Sequence, residues 1–211
     1  MRVDRAREAA LDALTACRRN GAWIDGALKQ VLKRDGLSGR DAAFASRIAY
    51  GVMQNRIYLD RCLARCLTQR PEKLEPLLLD ILRIGAYQIL FMDKVPVNAA
   101  VNEAVEMAKA HKLSRAAGLV NAVLRNVDRR RGEPLAFADE LEALSVQTSH
   151  PRALVERMVG LLGAEEAEAF LRADNEPVPT TIQTNTLKTT AKQLRASLED
   201  EGVAVEPHPW L

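Results

Sequence analysis

The fold of this chain is decided by residues 82–127, LRIGAYQILFMDKVPVNAAVNEAVEMAKAHKLSRAAGLVNAVLRNV. Apolar residues recur here every three or four positions, the spacing that predicts packed helices. The helix predicted over 73–92 is apolar nearly all round, so we expect it to form the centre of the core. Pro96 suits the first turn of the next helix, where its missing N–H costs no hydrogen bond. Ser114 is expected to cap a third helix that runs to about Arg129.

Four further helices are predicted ahead of this stretch, again from apolar residues at helical spacing. They cover about 2–19, 24–33, 38–50 and 57–67. Ser38 and Asp41 form a plausible capping box for the third, and Pro71 stops the fourth. No alternating strand pattern occurs before residue 178. Residues 1–131 are therefore predicted to form an all-α bundle with short loops.

The chain changes character after residue 131. The tract RRRGEPLAF indicates a linker, placed at 132–136, and helices are expected at about 134–145, 151–162 and 164–174. The segment TTIQTNTL then alternates with a period of two, which predicts a strand. Thr190 and Gln193 form a capping box for a helix that ends near Gly202, and a short strand is expected at 203–205. Because a strand–helix–strand unit leaves unpaired edges, residues 137–211 are interpreted as the start of an incomplete α+β domain.

Charge divides at the same point. Residues 1–132 carry 24 Lys and Arg against 14 Asp and Glu, whereas residues 133–211 carry 6 against 14. The first part, at +10, is suited to a polyanionic partner, and the second, at −8, is not. No run reaches the ~18 uncharged residues of a membrane helix, and the N-terminus lacks an apolar signal core. We expect a cytoplasmic protein without a membrane partner.

The helical half resembles the NusB antitermination fold, an all-helical RNA-binding domain. The segments that carry the resemblance are LRIGAYQILFM, VPVNAAVNEAVEMAK and GLVNAVLRNV, in the same order and spacing. The continuation through TSHPRALVERM and TTIQTNTLKTTAKQLRASLEDEGVAVEPHPWL resembles the linking region of the Sun/RsmB family, which methylates cytosine C5 in 16S ribosomal RNA. The resemblance implies that a whole protein of this family uses S-adenosylmethionine and a cysteine nucleophile, both expected beyond Leu211.

Two groups of arginines are the candidate RNA contacts, because guanidinium groups offer planar, bidentate donors to phosphate. In the NusB fold an arginine-rich start of the first helix contacts RNA, which by resemblance selects Arg2, Arg5 and Arg7. The run at the other end of the bundle is selected from charge alone: Arg129, Arg130 and Arg131. The alternative is that both groups are merely solvated helix surface. The low aromatic content, 4%, predicts no base stacking.

No catalytic, cofactor-binding or metal-binding residue is assigned. Neither a glycine-rich dinucleotide loop after a strand nor a phosphate loop occurs in the sequence. No cysteine follows Pro or Thr, the contexts that the methyltransferase family requires. Cys62 and Cys66 lie four residues apart but lack further ligands, so packing is the preferred interpretation. The chain is expected to bind 16S ribosomal RNA and to methylate nothing by itself, with its own catalytic domain as a possible partner.

Two other hypotheses stay open. A freestanding NusB-like transcription factor would use the first 131 residues to bind antiterminator RNA. A non-enzymatic paralogue would use the second half as an assembly surface. Both differ from the first hypothesis in whether a catalytic domain follows residue 211.

Overall fold

A bundle of seven helices forms most of the computed structural model of this chain, which describes residues 3–177 and 180–208. The first four helices are α1 (Arg5–Asn20), α2 (Ile24–Asp35), α3 (Gly39–Gln54) and α4 (Arg56–Ala64). The next three are α5 (Pro76–Phe91), α6 (Val97–Ala110) and α7 (Ala117–Arg129). The all-helical bundle predicted for residues 1–131 is confirmed over the described residues 3–131.

Helix α5 lies at the centre of this bundle, as its sequence predicts. It packs against α1, α3, α4, α6 and α7, and residues such as Leu82 and Ile84 are fully buried. Gly85 lets α7 approach closely, since a Cβ at this position would lie 2.5 Å from the Leu124 side chain. The near-continuous apolar surface of α5 therefore packs against neighbouring helices around its circumference.

The charged residues that interrupt α5 are paired rather than exposed. Asp80 is buried, and its carboxylate accepts hydrogen bonds from Arg18 at 2.8 Å and from Arg83 at 3.0 Å. Arg83 also donates to both carboxylate oxygens of Asp60 on α4, each at 2.7 Å. A buried carboxylate requires such partners. These bonds link α1, α4 and α5, and they give Arg18 a structural role.

Three shorter helices follow: α8 (Glu140–Thr148), α9 (Arg152–Leu162) and α10 (Ala164–Ala173). The predicted bounds of the last two hold to within a residue. The helix predicted over 134–145 is wrong at both ends: Asp139 is the N-cap and accepts from the Glu142 N–H at 2.8 Å, and the helix continues to Thr148. Helix α8 packs on α4, where Ser149 Oγ accepts from the backbone N–H of Ile57 at 3.1 Å.

Backbone contacts divide the chain into two compact units, Met1–Asn175 and Glu176–Leu211. Helices α1–α10 belong to the first unit. The domain boundary predicted at 132–136 stays a prediction, because packing of α8 on α4 does not establish which segments fold as independent domains. None of the helices in the described ranges is long and apolar enough to span a membrane.

The second unit contains α11 (Ala191–Asp200). Its predicted capping box is confirmed: Thr190 Oγ1 accepts from the Gln193 N–H at 3.2 Å, and the Gln193 side chain accepts from the Thr190 N–H at 3.1 Å. The strands predicted at TTIQTNTL and 203–205 are not formed within the described part of this unit. The backbone N–H of Val203 instead donates to the carbonyl of Leu198 at 2.9 Å, as the chain leaves α11.

Two predicted caps in the bundle form differently. Ser38 is the N-cap of α3, but its side chain makes no capping hydrogen bond. Ser114 begins a single 3₁₀ turn, Ser114–Ala116, and α7 starts only at Ala117. Both differences concern helix ends, where a serine side chain can bond to nearby backbone groups in more than one way.

Candidate nucleic-acid interface

The N-terminal candidate surface lies where the start of α1 meets the end of α2. Arg5 is exposed in the first turn of α1, and its guanidinium donates to the backbone carbonyl of Asp35. An open cleft of about 400 Å³ lies beside it, lined also by Glu8 and His111. Arg2 lies outside the described residues. Of Arg5 and Arg7, the two of these arginines that the structure describes, Arg5 lies on the surface.

Arg7 is inside the bundle. It is 8% exposed, and its Nε donates to the side-chain oxygen of Gln88 on α5 at 2.8 Å. Its guanidinium carbon lies 4.9 Å from the centre of the Phe44 ring, and Nη1 lies 3.2 Å from Asp4. These partners engage Nε and Nη1, and burial limits the access of a phosphate to the rest of the guanidinium group. The structure gives Arg7 a part in joining α1, α3 and α5, which argues against direct RNA contact.

Acidic side chains neutralise much of the remaining charge at this end. Arg34 pairs with Asp35 at 2.7 Å and also with Asp12 on α1. The hydrogen bond from Arg34 holds the pKa of Asp35 below its ordinary value. Glu8 lies 2.8 Å from the Nε2 atom of His111. The surface around Arg5 is therefore nearly balanced in charge, which weakens its attraction for a polyanion.

The C-terminal candidate surface is more strongly basic. Arg129 lies in the last turn of α7, Arg130 is its C-cap residue, and Arg131 follows, all exposed. Arg131 lies 3.1 Å from an exposed Asp93 carboxylate. Arg129 and Arg130 have no ion-pair partner among the described residues. Cations at a helix C-terminus also interact favourably with the helix dipole. We call Arg129, Arg130 and Arg131 the C-terminal arginine cluster.

A cleft of about 350 Å³ adjoins this cluster, lined by α4, α7 and the loop after α7. Cys62 and Cys66 line it together with Arg65 and Arg130. Both thiols are half-buried, and burial raises the pKa of each. No group of three or more His, Cys, Asp or Glu arranged to hold a metal ion occurs among residues 3–177 and 180–208.

Sequence reasoning overlooked one surface. Trp23, between α1 and α2, is 85% exposed. The hydroxyl of Tyr50 on α3 donates to Asp25 at 2.6 Å, within the first turn of α2. The available signal was an aromatic residue in the polar turn NGAWID. Overall aromatic content does not reveal where a single ring is placed.

Two family models match the chain in succession. The NusB family model matches residues 4–129. A model described as the ferredoxin-like domain of RsmF/B-like methyltransferases matches residues 150–211. The first covers the seven-helix bundle, and the second begins just before α9.

Two named relatives align with different shares of the chain. A probable ribosomal RNA small subunit methyltransferase B of Bacillus subtilis is 34% identical over 208 residues, which are 98% of this chain and 46% of that protein. A transcription antitermination protein NusB of Bacillus licheniformis is 37% identical over 93 residues, 43% of this chain and 72% of that protein. The chain thus spans less than half the length of its methyltransferase relative.

Solved structures share the fold. The crystal structure of PH0851 aligns with all of this chain and 47% of its own, with a TM-score of 0.72 and 21% identity. The structure of antitermination factors NusB and NusE in complex with dsRNA aligns with 60% of this chain and 95% of its own, with a TM-score of 0.55 and 19% identity. The helical bundle over residues 4–129 makes this chain a member of the NusB family, joined to the RsmF/B-type ferredoxin-like region found in the N-terminal part of RsmB methyltransferases.

Proposed function

We propose that this chain binds 16S ribosomal RNA as the recognition region of a cytosine-C5 methyltransferase. The supporting observation is the order of its parts. A NusB-family bundle and an RsmF/B-type region follow each other in one chain, and 98% of that chain aligns with a methyltransferase relative. A ribosomal RNA ligand would place the protein in the cytoplasm.

Phosphate contacts would come mainly from the C-terminal arginine cluster. Its exposed guanidinium groups suit bidentate hydrogen bonds to phosphate oxygens, and they remain charged at every physiological pH. Arg5 is a weaker candidate, because the charge around it is balanced by Asp35 and Glu8. Contacts of this type position the RNA and do not read its sequence.

We propose that a catalytic domain outside these 211 residues carries out the methyl transfer, since the residues present here do not fit S-adenosylmethionine. The positive-φ glycines Gly21 and Gly36 end helices α1 and α2 rather than forming a loop between a strand and a helix. Cys62 and Cys66 line a cleft that adjoins the proposed RNA contacts, but their raised pKa values disfavour the thiolate that a nucleophile requires.

The test is binding of 16S ribosomal RNA fragments at several salt concentrations. Replacing Arg129, Arg130 and Arg131 together by Ala should lower the affinity at low salt. It should also reduce the slope of log K against log salt by about 2 to 3, because each lost phosphate contact removes slightly less than one unit.

A matched control removes the same charge from the acidic half. Arg157, Lys188 and Lys192 are exposed and have no ion-pair partner among the described residues. Their triple Ala variant should keep the wild-type slope. Equal losses in the two variants would show that net charge, not the cluster, governs binding.

A freestanding antitermination factor is the second candidate, favoured by the 37% identity to a NusB protein over 93 residues. Under that proposal the chain would prefer antiterminator RNA to ribosomal RNA fragments. Competition between the two RNAs for the same protein separates the candidates.

A further inference from the structure

Trp23 stands at the turn between α1 and α2 with 85% of its surface exposed. It is the N-cap residue of α2, with φ −72° and ψ 140°, and its side chain makes no capping hydrogen bond. Tryptophan is buried to a high degree on average in folded proteins. Neither the local fold nor the core therefore accounts for this side chain.

Tyr50 lies beside the same turn. Its side chain is partly exposed, and its hydroxyl donates to Asp25, two residues after Trp23, at 2.6 Å. This bond holds the end of α3 against the first turn of α2. It also raises the pKa of Tyr50. The bond thus connects the helix that carries Tyr50 to the first turn of the helix that Trp23 caps.

Basic side chains accompany them. Arg47 precedes Tyr50 by three residues and Lys29 follows Asp25 by four, spacings that place each pair on one helix face. Arg19 lies near the end of α1, four residues before Trp23. All three are exposed, and none has an ion-pair partner among the described residues.

We propose that Trp23 and Tyr50 form a stacking platform for an unpaired RNA base, with Arg47, Lys29 and Arg19 contacting the flanking phosphates. The inference rests on the proposed RNA-binding function and specifies a single-stranded segment of the ligand. Aromatic rings bind the faces of unpaired bases and cannot reach them inside a duplex. Stacking is tolerant of sequence, because every base has a π face.

Charge favours RNA over a protein as the occupant of this surface. Three exposed cations, Arg47, Lys29 and Arg19, lie on the helices that carry or adjoin the two aromatic residues, and they outnumber the carboxylate of Asp25. Protein interfaces are depleted of lysine at their centres, whereas single-stranded nucleic acids bind where aromatic rings and cations alternate.

Trp23 provides its own reporter. The chain contains two tryptophans, Trp23 and Trp210. In a W210F background, indole fluorescence reports on Trp23 alone. A 12-nucleotide single-stranded RNA should quench this emission, and a blunt duplex of the same sequence should quench it far less.

The affinity test compares W23A with L161A, which removes another exposed apolar side chain from the same unit, far along the sequence in α9. W23A should bind the single strand roughly 5- to 100-fold more weakly, the range of one stacked base, and W23F should keep most of the affinity. L161A should bind as wild type does. Because Trp23 is largely exposed, circular dichroism should show that W23A keeps the wild-type helix content.

The outcomes separate this inference from the function beneath it. Two results together would refute the platform: W23A binds the single strand as tightly as wild type does, and the single strand does not quench Trp23 emission in the W210F protein. RNA binding by the wild-type chain would still stand. A protein would then be the better occupant of the Trp23 surface. If the wild-type chain binds neither RNA, the proposed function fails and the platform fails with it.

Discussion

Arg7 and Arg5 share the first turns of α1, yet the structure predicts opposite consequences when each is replaced by Ala. In R7A, the buried side-chain oxygen of Gln88 loses a charged donor at 2.8 Å, which costs about 1.5–3 kcal/mol. Loss of the contact with Phe44 adds about 0.5–1 kcal/mol. The exposed part of the Asp4 pair adds little. The expected loss in the free energy of unfolding is therefore about 2–4 kcal/mol.

Thermal unfolding followed by circular dichroism measures this loss. For a domain of this size, about 1 kcal/mol corresponds to roughly 2–4 °C in Tm, so R7A should melt some 4–16 °C below wild type. R5A should melt within about 2 °C of wild type, because the Arg5 side chain is exposed and bonds one backbone carbonyl.

RNA affinity, measured well below both melting temperatures, completes the comparison. Folded R7A should bind RNA nearly as wild type does. A variant that keeps the wild-type Tm but loses affinity would refute the assignment of Arg7 to the fold, and would restore it as an RNA contact.

Three further predictions follow from packing and ionisation. G51A should lower the free energy of unfolding by about 1–2 kcal/mol net, because a Cβ there would lie 1.9 Å from the buried Tyr87 ring. In the control G26A the added Cβ has no neighbouring atom within 4 Å, so this variant should be neutral or stabilising. Urea titrations measure both changes. Cys62, whose pKa burial raises, should react with iodoacetamide at pH 8 more slowly than free cysteine; equal rates by mass spectrometry would contradict its burial. The bond from the Glu142 N–H lowers the pKa of Asp139. The stability that the Asp139 carboxylate contributes is therefore present above about pH 4 and is lost as pH falls further. D139N should reduce the loss of helix signal on acidification, and an acid profile equal to that of wild type would contradict this prediction.

Much of the bundle could be predicted from hydrophobic spacing. The apolar run of α5 identifies the core helix. The end of α4 is predicted less well, because the pattern extends it to about residue 67, whereas the helix ends at Ala64 and Pro71 begins a separate 3₁₀ turn. Helix ends were harder, because the side chain of Ser38 makes no capping bond whereas that of Asp139 does. Capping depends on which side chain wins a local hydrogen bond, and a pattern of residue types does not determine the winner.

The candidate site could be predicted only in part. The arginine run at the end of α7 is exposed, as its polar context suggests. The burial of Arg7 could not be inferred from its own segment, because its partner Gln88 lies 81 residues away on α5. Trp23 was overlooked for the opposite reason: an apolar side chain is expected to be buried, and here the fold leaves it exposed.

The most direct test of the central claim is ultraviolet crosslinking of the 211-residue chain to total bacterial RNA, followed by sequencing of the crosslinked sites. The account predicts crosslinks concentrated in 16S ribosomal RNA, and their loss in the variant that lacks the C-terminal arginine cluster. Crosslinks concentrated in antiterminator transcripts, or spread evenly over all RNA in both proteins, would contradict it.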